Sequence, residues 1–217
     1  MKKAIVIILA VLSFPIYGQE KQFKLSLGVN QSWLYFESSD LDQFKKDFVP
    51  KPQISLLYNF SRIWDLYASA GVRYFSLGRT SSFDYWHGRT EKFENYSYYL
   101  SVPVQIKYYI ECLNMGVLIN AEPAYLVYSS IKGPDIDVDR IIRRTVTDEM
   151  QSLAFLIGTG LEYIFTVGDE KFAVNAIYNC GLTKIPKKDI FTSEGGTDYS
   201  WAPYSGNELS LSLSYYF

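Results

Sequence analysis

Eight stretches of the chain alternate apolar and polar residues with a period of two, the pattern of β-strands that carry one apolar and one polar face. The pattern predicts strands at about 22–35, 52–61, 66–77, 95–110, 115–128, 151–166, 171–183 and 207–217. In the first, Phe23, Leu25, Leu27, Val29 and Trp33 share a face, with Lys24, Ser26, Gly28, Asn30 and Ser32 behind them. In the fourth, Tyr96, Tyr98, Leu100, Val102, Val104, Ile106 and Tyr108 oppose Ser97, Ser101, Gln105 and Lys107. The last strand runs Leu209, Leu211, Leu213, Tyr215 and Phe217 on one face, separated by Ser210, Ser212 and Ser214. Connections after the second, fourth and sixth strands are short: 62–65, 111–114 and 167–170. Those after the first, third, fifth and seventh are long: about 36–51, 78–94, 129–150 and 184–206.

Strict alternation of short and long connections suits antiparallel neighbours joined in chain order, and an even strand number returns both ends to one side. The fold expected is therefore all-β: an eight-stranded antiparallel up-and-down transmembrane β-barrel, with apolar faces toward lipid and an OmpA/OmpX-like architecture. Composition sharpens this. The chain is 17% aromatic, with 19 Tyr and 14 Phe, and the aromatics sort by height. Phe23, Phe60, Tyr108, Phe165, Phe172, Tyr215 and Phe217 fall at one set of strand ends. Trp33, Tyr74, Tyr96, Tyr98, Tyr125 and Tyr178 fall at the other. Two aromatic girdles around an aliphatic band are what a membrane barrel needs. A net charge of −2 argues against nucleic acid as a partner.

The ends agree. Met1-Lys2-Lys3, the apolar run Ala4–Phe14 and small Gly18 predict a secretory signal peptide over 1–18, leaving 19–217 as one barrel domain. The alternating carboxyl-terminal strand resembles the insertion signal of bacterial outer-membrane barrels, in which a terminal aromatic follows apolar residues at every second position. Leu209, Leu211, Leu213, Tyr215 and Phe217 carry that resemblance. Ser101-Val102-Pro103-Val104-Gln105-Ile106-Lys107-Tyr108 is similar to the Ile-Pro-x-x-x-Lys-Tyr strand of the PorT-like outer-membrane β-barrel family of the Bacteroidetes. Asn120-Ala121-Glu122-Pro123-Ala124-Tyr125 is similar to its following strand, with Glu122 where glycine is usual. Gly158-Thr159-Gly160-Leu161-Glu162-Tyr163 and Tyr178-Asn179-Cys180-Gly181-Leu182-Thr183 resemble its sixth and seventh strands. The resemblance implies the outer membrane of a Gram-negative bacterium, with outer-membrane lipid and lipopolysaccharide around the wall and the barrel-assembly machinery at insertion. It leaves the function open, because members do different jobs and some resemble components of secretion machinery.

An eight-stranded barrel has an interior that side chains fill. The register turns Lys24, Arg73, Gln105, Lys107, Glu122 and Glu162 inward. Buried charges must pair, so the expectation is a polar network that plugs the lumen; an ion path or a small-molecule site is the alternative use of the same residues. Ser101 is expected in the lumen, tolerant of another polar residue, and Val102 toward lipid. No catalytic residue, cofactor or metal is assigned. His87, the one histidine, sits in an aromatic outer loop near Ser81, Ser82 and Asp84, and only a triad there would make an enzyme. Asp135, Asp137 and Asp139 alternate but lack the glycine and distal glutamate of a calcium loop. Cys112 and Cys180 are expected too far apart to bridge. The function expected is non-enzymatic: surface interaction, or a subunit of an envelope or secretion assembly with an envelope protein partner. A lipid-modifying enzyme and a narrow channel are the alternatives. Both termini are expected in the periplasm.

Overall fold

The structure is a computed structural model that describes residues 23–35, 45–47, 49–63, 65–84, 90–135, 140–184, 190–193, 198–201 and 205–217. The strands are β1 (Phe23–Tyr35), β2 (Lys45–Asp47), β3 (Lys51–Ile63), β4 (Leu66–Asp84), β5 (Thr90–Ser101), β6 (Val104–Ile110), β7 (Met115–Asp135), β8 (Arg140–Thr145), β9 (Leu153–Val167), β10 (Glu170–Gly181), β11 (Ile190–Ser193), β12 (Asp198–Trp201) and β13 (Ser205–Tyr216).

The predicted carboxyl-terminal strand closes the wall. β13 pairs antiparallel with β10 on one side and with β1 on the other, from Lys24↔Tyr216 to Tyr35↔Ser205. At the seam's end Phe23 and Phe217 exchange both backbone hydrogen bonds at 3.0 Å. The rest of the circuit runs β1–β3–β4, then β5 and β6 in succession along β4 and β7, then β7–β9–β10. Counting β5 and β6 as one wall strand, this is a closed eight-stranded antiparallel barrel. Closure leaves no edge within the wall, so every backbone group there can pair without water.

The single predicted strand at 95–110 is broken at Val102-Pro103. Proline has no N–H to donate, so the ladder lapses there. The wall is stitched instead by Val102 N–H to the Pro123 carbonyl (3.0 Å) and Gly71 N–H to the Pro103 carbonyl (3.1 Å).

Alternation sorts the side chains as the period-two reading requires. Leu27, Val29, Ile54, Leu56, Val72, Leu100, Val102, Val104, Ile106, Val117, Ile119, Leu161, Val174, Leu211 and Leu213 are exposed on the outer face. At the termini end, seven rings form an unbroken chain across β3, β1, β13, β10 and β9. Tyr58 lies 5.0 Å from Phe23, Phe23 5.7 Å from Phe217, and Phe217 5.9 Å from Tyr215. Tyr215 then lies 5.3 Å from Phe172, which is 5.8 Å from Phe165, itself 6.4 Å from Tyr163. At the opposite end Tyr74, Tyr98 and Tyr128 stack in sequence at 6.2 and 6.3 Å. Tyr96 departs from the expected outer girdle. It is buried, its ring lies against Gly78, which has no side chain to hold it off, and the Lys51 ammonium sits 4.0 Å from the ring centroid.

The long connections are more ordered than a reading as loops implies. β4 and β5 continue as a paired hairpin as far as Asp84↔Thr90, β2 adds beside β4, and β8 folds back along β7. β9 and β10 end much lower, at Leu153 and Gly181. Among the described residues β4, β5 and β7 thus continue well past the ends of β9 and β10.

Candidate functional site

The lumen is built in three layers. Nearest the termini, Glu162 of β9 accepts from both the Lys24 ammonium of β1 and the Lys107 ammonium of β6, the latter at 2.5 Å. The Tyr216 hydroxyl of β13 donates to the same carboxylate at 2.6 Å. Lys24 also donates to Asn175 Oδ1 at 2.7 Å. The Tyr216 ring is a hub, with Lys24, Lys107 and Lys171 ammoniums 5.8, 5.5 and 5.4 Å from its centroid, inside the range of cation–π attraction.

One layer up, the Arg73 guanidinium of β4 sits between two carboxylates, 2.9 Å from Glu122 of β7 and 2.6 Å from Glu208 of β13. Its Nε also donates to Gln53 Oε1 at 2.9 Å. Glu122 takes further bonds from the Ser101 hydroxyl and from Asn120 Nδ2 at 3.0 Å. Glu208 takes others from Asn179 Nδ2 at 2.7 Å and Asn30 Nδ2 at 3.2 Å. The three carboxylate side chains are fully buried. Each has three or more donors, which is the condition for a buried charge to be held rather than expelled.

Above both layers lies an apolar cap: Phe75, Leu77, Tyr99, Ala124, Leu126, Val146, Met150, Ala154 and Leu156. Val146 and Met150 come from the connection between β8 and β9, which turns into the barrel mouth through a short 3-10 helix, Thr147–Glu149. Val146 N–H donates to the Ser129 carbonyl at 3.1 Å, and Ser129 N–H donates to Thr147 Oγ1 at 3.0 Å. The Arg73 guanidinium lies 4.2 Å from the Phe75 ring centroid, joining the ionic layer to the cap.

Of the residues expected inside, Lys24, Lys107 and Glu162 meet in the lower layer, Arg73 and Glu122 in the upper, and Gln105 is buried on the wall of a small cavity between the two. Two members escaped the sequence reading. Glu208 and Tyr216 share the parity of Ser210, Ser212 and Ser214, and that parity was the signal available for them. With Glu208 the network holds three cations and three anions, where the sequence reading had one cation in excess. Ser101 is inward, as expected, but it is 1% exposed and its hydroxyl contacts both Glu122 and the Arg73 carbonyl (3.2 Å), so a larger polar residue there is expected to disturb Glu122.

Gly116 makes the lower layer reachable. A Cβ built there would stand 2.7 Å from Lys107 Cδ and 2.9 Å from Cγ, so the lysine stem crosses β7 where a side chain is missing. Gly116→Val should push Lys107 off Glu162 and cost about 1–3 kcal/mol by overpacking. Urea titration of the barrel refolded in vesicles checks this, with a wild-type midpoint counting against it.

His87, Asp137 and Asp139 lie outside the described residues, as does residue range 1–18, and the side chain of Asp135 does too. Among the described residues no three His, Cys, Asp or Glu side chains converge as a metal site would require. Cys112 and Cys180 are both free.

A wall apolar outside, belted by aromatics and closed around a charge-balanced interior is the architecture of a membrane-spanning β-barrel of the outer-membrane type. The chain belongs to the outer membrane protein beta-barrel domain family, whose model matches residues 17–186. Among solved structures it is similar to neisserial surface protein A, with 16% identity over 90% of this chain and 97% of that one at a TM-score of 0.47. It is also similar to Ail, the attachment invasion locus protein of Yersinia pestis, solved with the heparin analogue sucrose octasulfate (15% identity, 92% and 100% covered, TM-score 0.47). The outer membrane protease OmpT of Escherichia coli is another such structure (10% identity, 95% and 100% covered, TM-score 0.44). No curated protein matches the chain by sequence.

Proposed function

We propose that this protein is a non-enzymatic outer-membrane barrel that works by surface interaction or as a subunit of an envelope or secretion assembly. The observation that carries the reading is the contrast between inside and outside. The lumen is filled by a neutral ionic network under an apolar cap, while β4, β5 and β7 continue past that cap as paired strands. A filled barrel transmits little, and the raised side offers a large surface at the outer mouth. The motifs at 101–108, 120–125, 158–163 and 178–183 support placement near the PorT-like group within the family.

In this reading a signal peptide, 1–18, is removed on export, and both termini lie in the periplasm. Lipid and lipopolysaccharide surround the wall, and the assembly machinery engages Leu209, Leu211, Leu213, Tyr215 and Phe217. No cofactor or metal takes part.

Two measurements test it. In planar bilayers the purified barrel should give no steady conductance; a stable open pore would favour the narrow-channel reading. Detergent-solubilised membranes should yield envelope proteins bound to the tagged chain, and shortening the hairpins at 80–94 and 131–145 should abolish that capture while the barrel still folds. Capture that survives the shortening defeats the surface reading. Protease added to intact cells should cut, if anywhere, within 36–51, 78–94, 129–150 or 184–206; cleavage at Arg62 or Glu111 reverses the orientation.

A further inference from the structure

Between the two ionic layers lies a cavity of about 30 Å³, walled by Lys24, Arg73, Gln105, Asn120, Glu122 and Asn175 among others. The layers around it are not neutral one by one. The lower has two lysines to one glutamate, and the upper two glutamates to one arginine. The cavity thus lies between an excess positive and an excess negative charge.

One lining group is unfinished. Asn120 is 2% exposed and its Oδ1 has no hydrogen-bond partner. Its amide cannot be turned round to cure this, because Nδ2 already donates to Glu122 at 3.0 Å and to Asn179 Oδ1 at 3.1 Å. On the other side the Lys24 ammonium has three N–H groups, of which Glu162 and Asn175 take two. The site therefore offers an acceptor that needs a donor and a donor with a hydrogen to spare.

From this we infer that the cavity is a binding site for a cluster of about two water molecules, the number its volume admits, which accept from Lys24 and donate to Asn120 Oδ1. The other small occupants fit less well. A cation would face Lys24 and Arg73. An anion would face Glu122 and the unpaired Asn120 oxygen. An apolar molecule would leave both polar groups unmet. Of these occupants only water both donates and accepts, and it joins the two ionic layers into one hydrogen-bonded column from Tyr216 to Glu208. This site does not depend on the surface role proposed above.

The test uses the full barrel, labelled with nitrogen-15 and refolded in lipid nanodiscs. Magnetisation transfer from water should reach the side-chain amides of Asn120 and Gln105 with the sign of long-lived buried water. No transfer to either amide overturns the inference. A second arm fills the space. Ser55 also lines the cavity, and Ser55→Val places methyl groups there. If water is the ligand, this variant loses the transfer and its unfolding equilibrium constant rises at least about fivefold, because an acceptor is left buried and unpaired. An unchanged or lower unfolding constant means the cavity was dry and overturns the inference; if the variant does not fold, the transfer measured on the unaltered chain decides.

Discussion

Glu162→Gln should destabilise the barrel by about 3–5 kcal/mol, the usual cost of removing one member of a buried ion pair. The expectation rests on what the change leaves behind. Lys24 and Lys107 both point at Glu162, with side chains 6% and 13% exposed, and among the described residues no other carboxylate is paired with either of them. Glutamine keeps the shape but offers two buried ammoniums a dipole where they had a charge. The loss should be specific to charge imbalance. Lys24→Met, Lys107→Met and Glu162→Leu combined should recover most of it, since replacing a whole buried ionic group by apolar residues is often near neutral. Urea unfolding in vesicles and heat-modifiability on gels measure both. A single variant within experimental error of wild type would mean the lower layer does not hold these charges dry.

Val102→Arg should be the most damaging change on the outer face, at roughly 2–4 kcal/mol for an arginine near the midplane. Val102 is exposed between the aromatic ends of its wall strand, and its N–H is committed to the Pro123 carbonyl. The backbone cannot slide to move the arginine toward the interface without breaking that stitch beside the proline. Val102→Leu should be nearly silent. Ser101→Asn, one residue away, is not a benign control, because Ser101 is wedged against Glu122. Equal folding yields for Val102→Arg and Val102→Leu would show that this segment does not face lipid.

Much of the wall was legible because period-two alternation is imposed by geometry: each strand must sort its side chains between hydrocarbon and lumen. That is why Lys24, Arg73, Lys107, Glu122 and Glu162 could be turned inward from sequence alone. Three features were not legible. Leu57, Phe75, Leu77, Tyr99, Leu118 and Leu156 are apolar yet buried inside, and alternation cannot flag an inward leucine when the outward neighbours are apolar too. The continuation of β4, β5, β7 and β8 rests on cross-strand pairing, as in Ser97 with Ser129 (2.8 Å) and Glu94 with Lys132 (3.7 Å), and a polar stretch does not announce its partner. The cap depends on Val146 and Met150 turning into the mouth, a tertiary decision with no local signature. Glu208, by contrast, was readable and overlooked: an acidic residue in phase with three serines on the last strand has nowhere to face but inward.

The seam between β1 and β13 has a consequence for how the protein is made. Lys24 and Glu162 are 138 residues apart, and Arg73 and Glu208 are 135 apart. Arg73 is completed by Glu208 and the lower layer by Tyr216, both on β13, the strand that closes the wall against β1. Until that strand arrives, the inward charges must stay wet, so an open sheet cannot settle into hydrocarbon. A chain cut short before Glu208 carries Arg73 with one carboxylate fewer and Glu162 without its tyrosine. The ionic layers thereby tie burial of the interior charges to closure of the wall: both are complete only when β13 lies between β1 and β10.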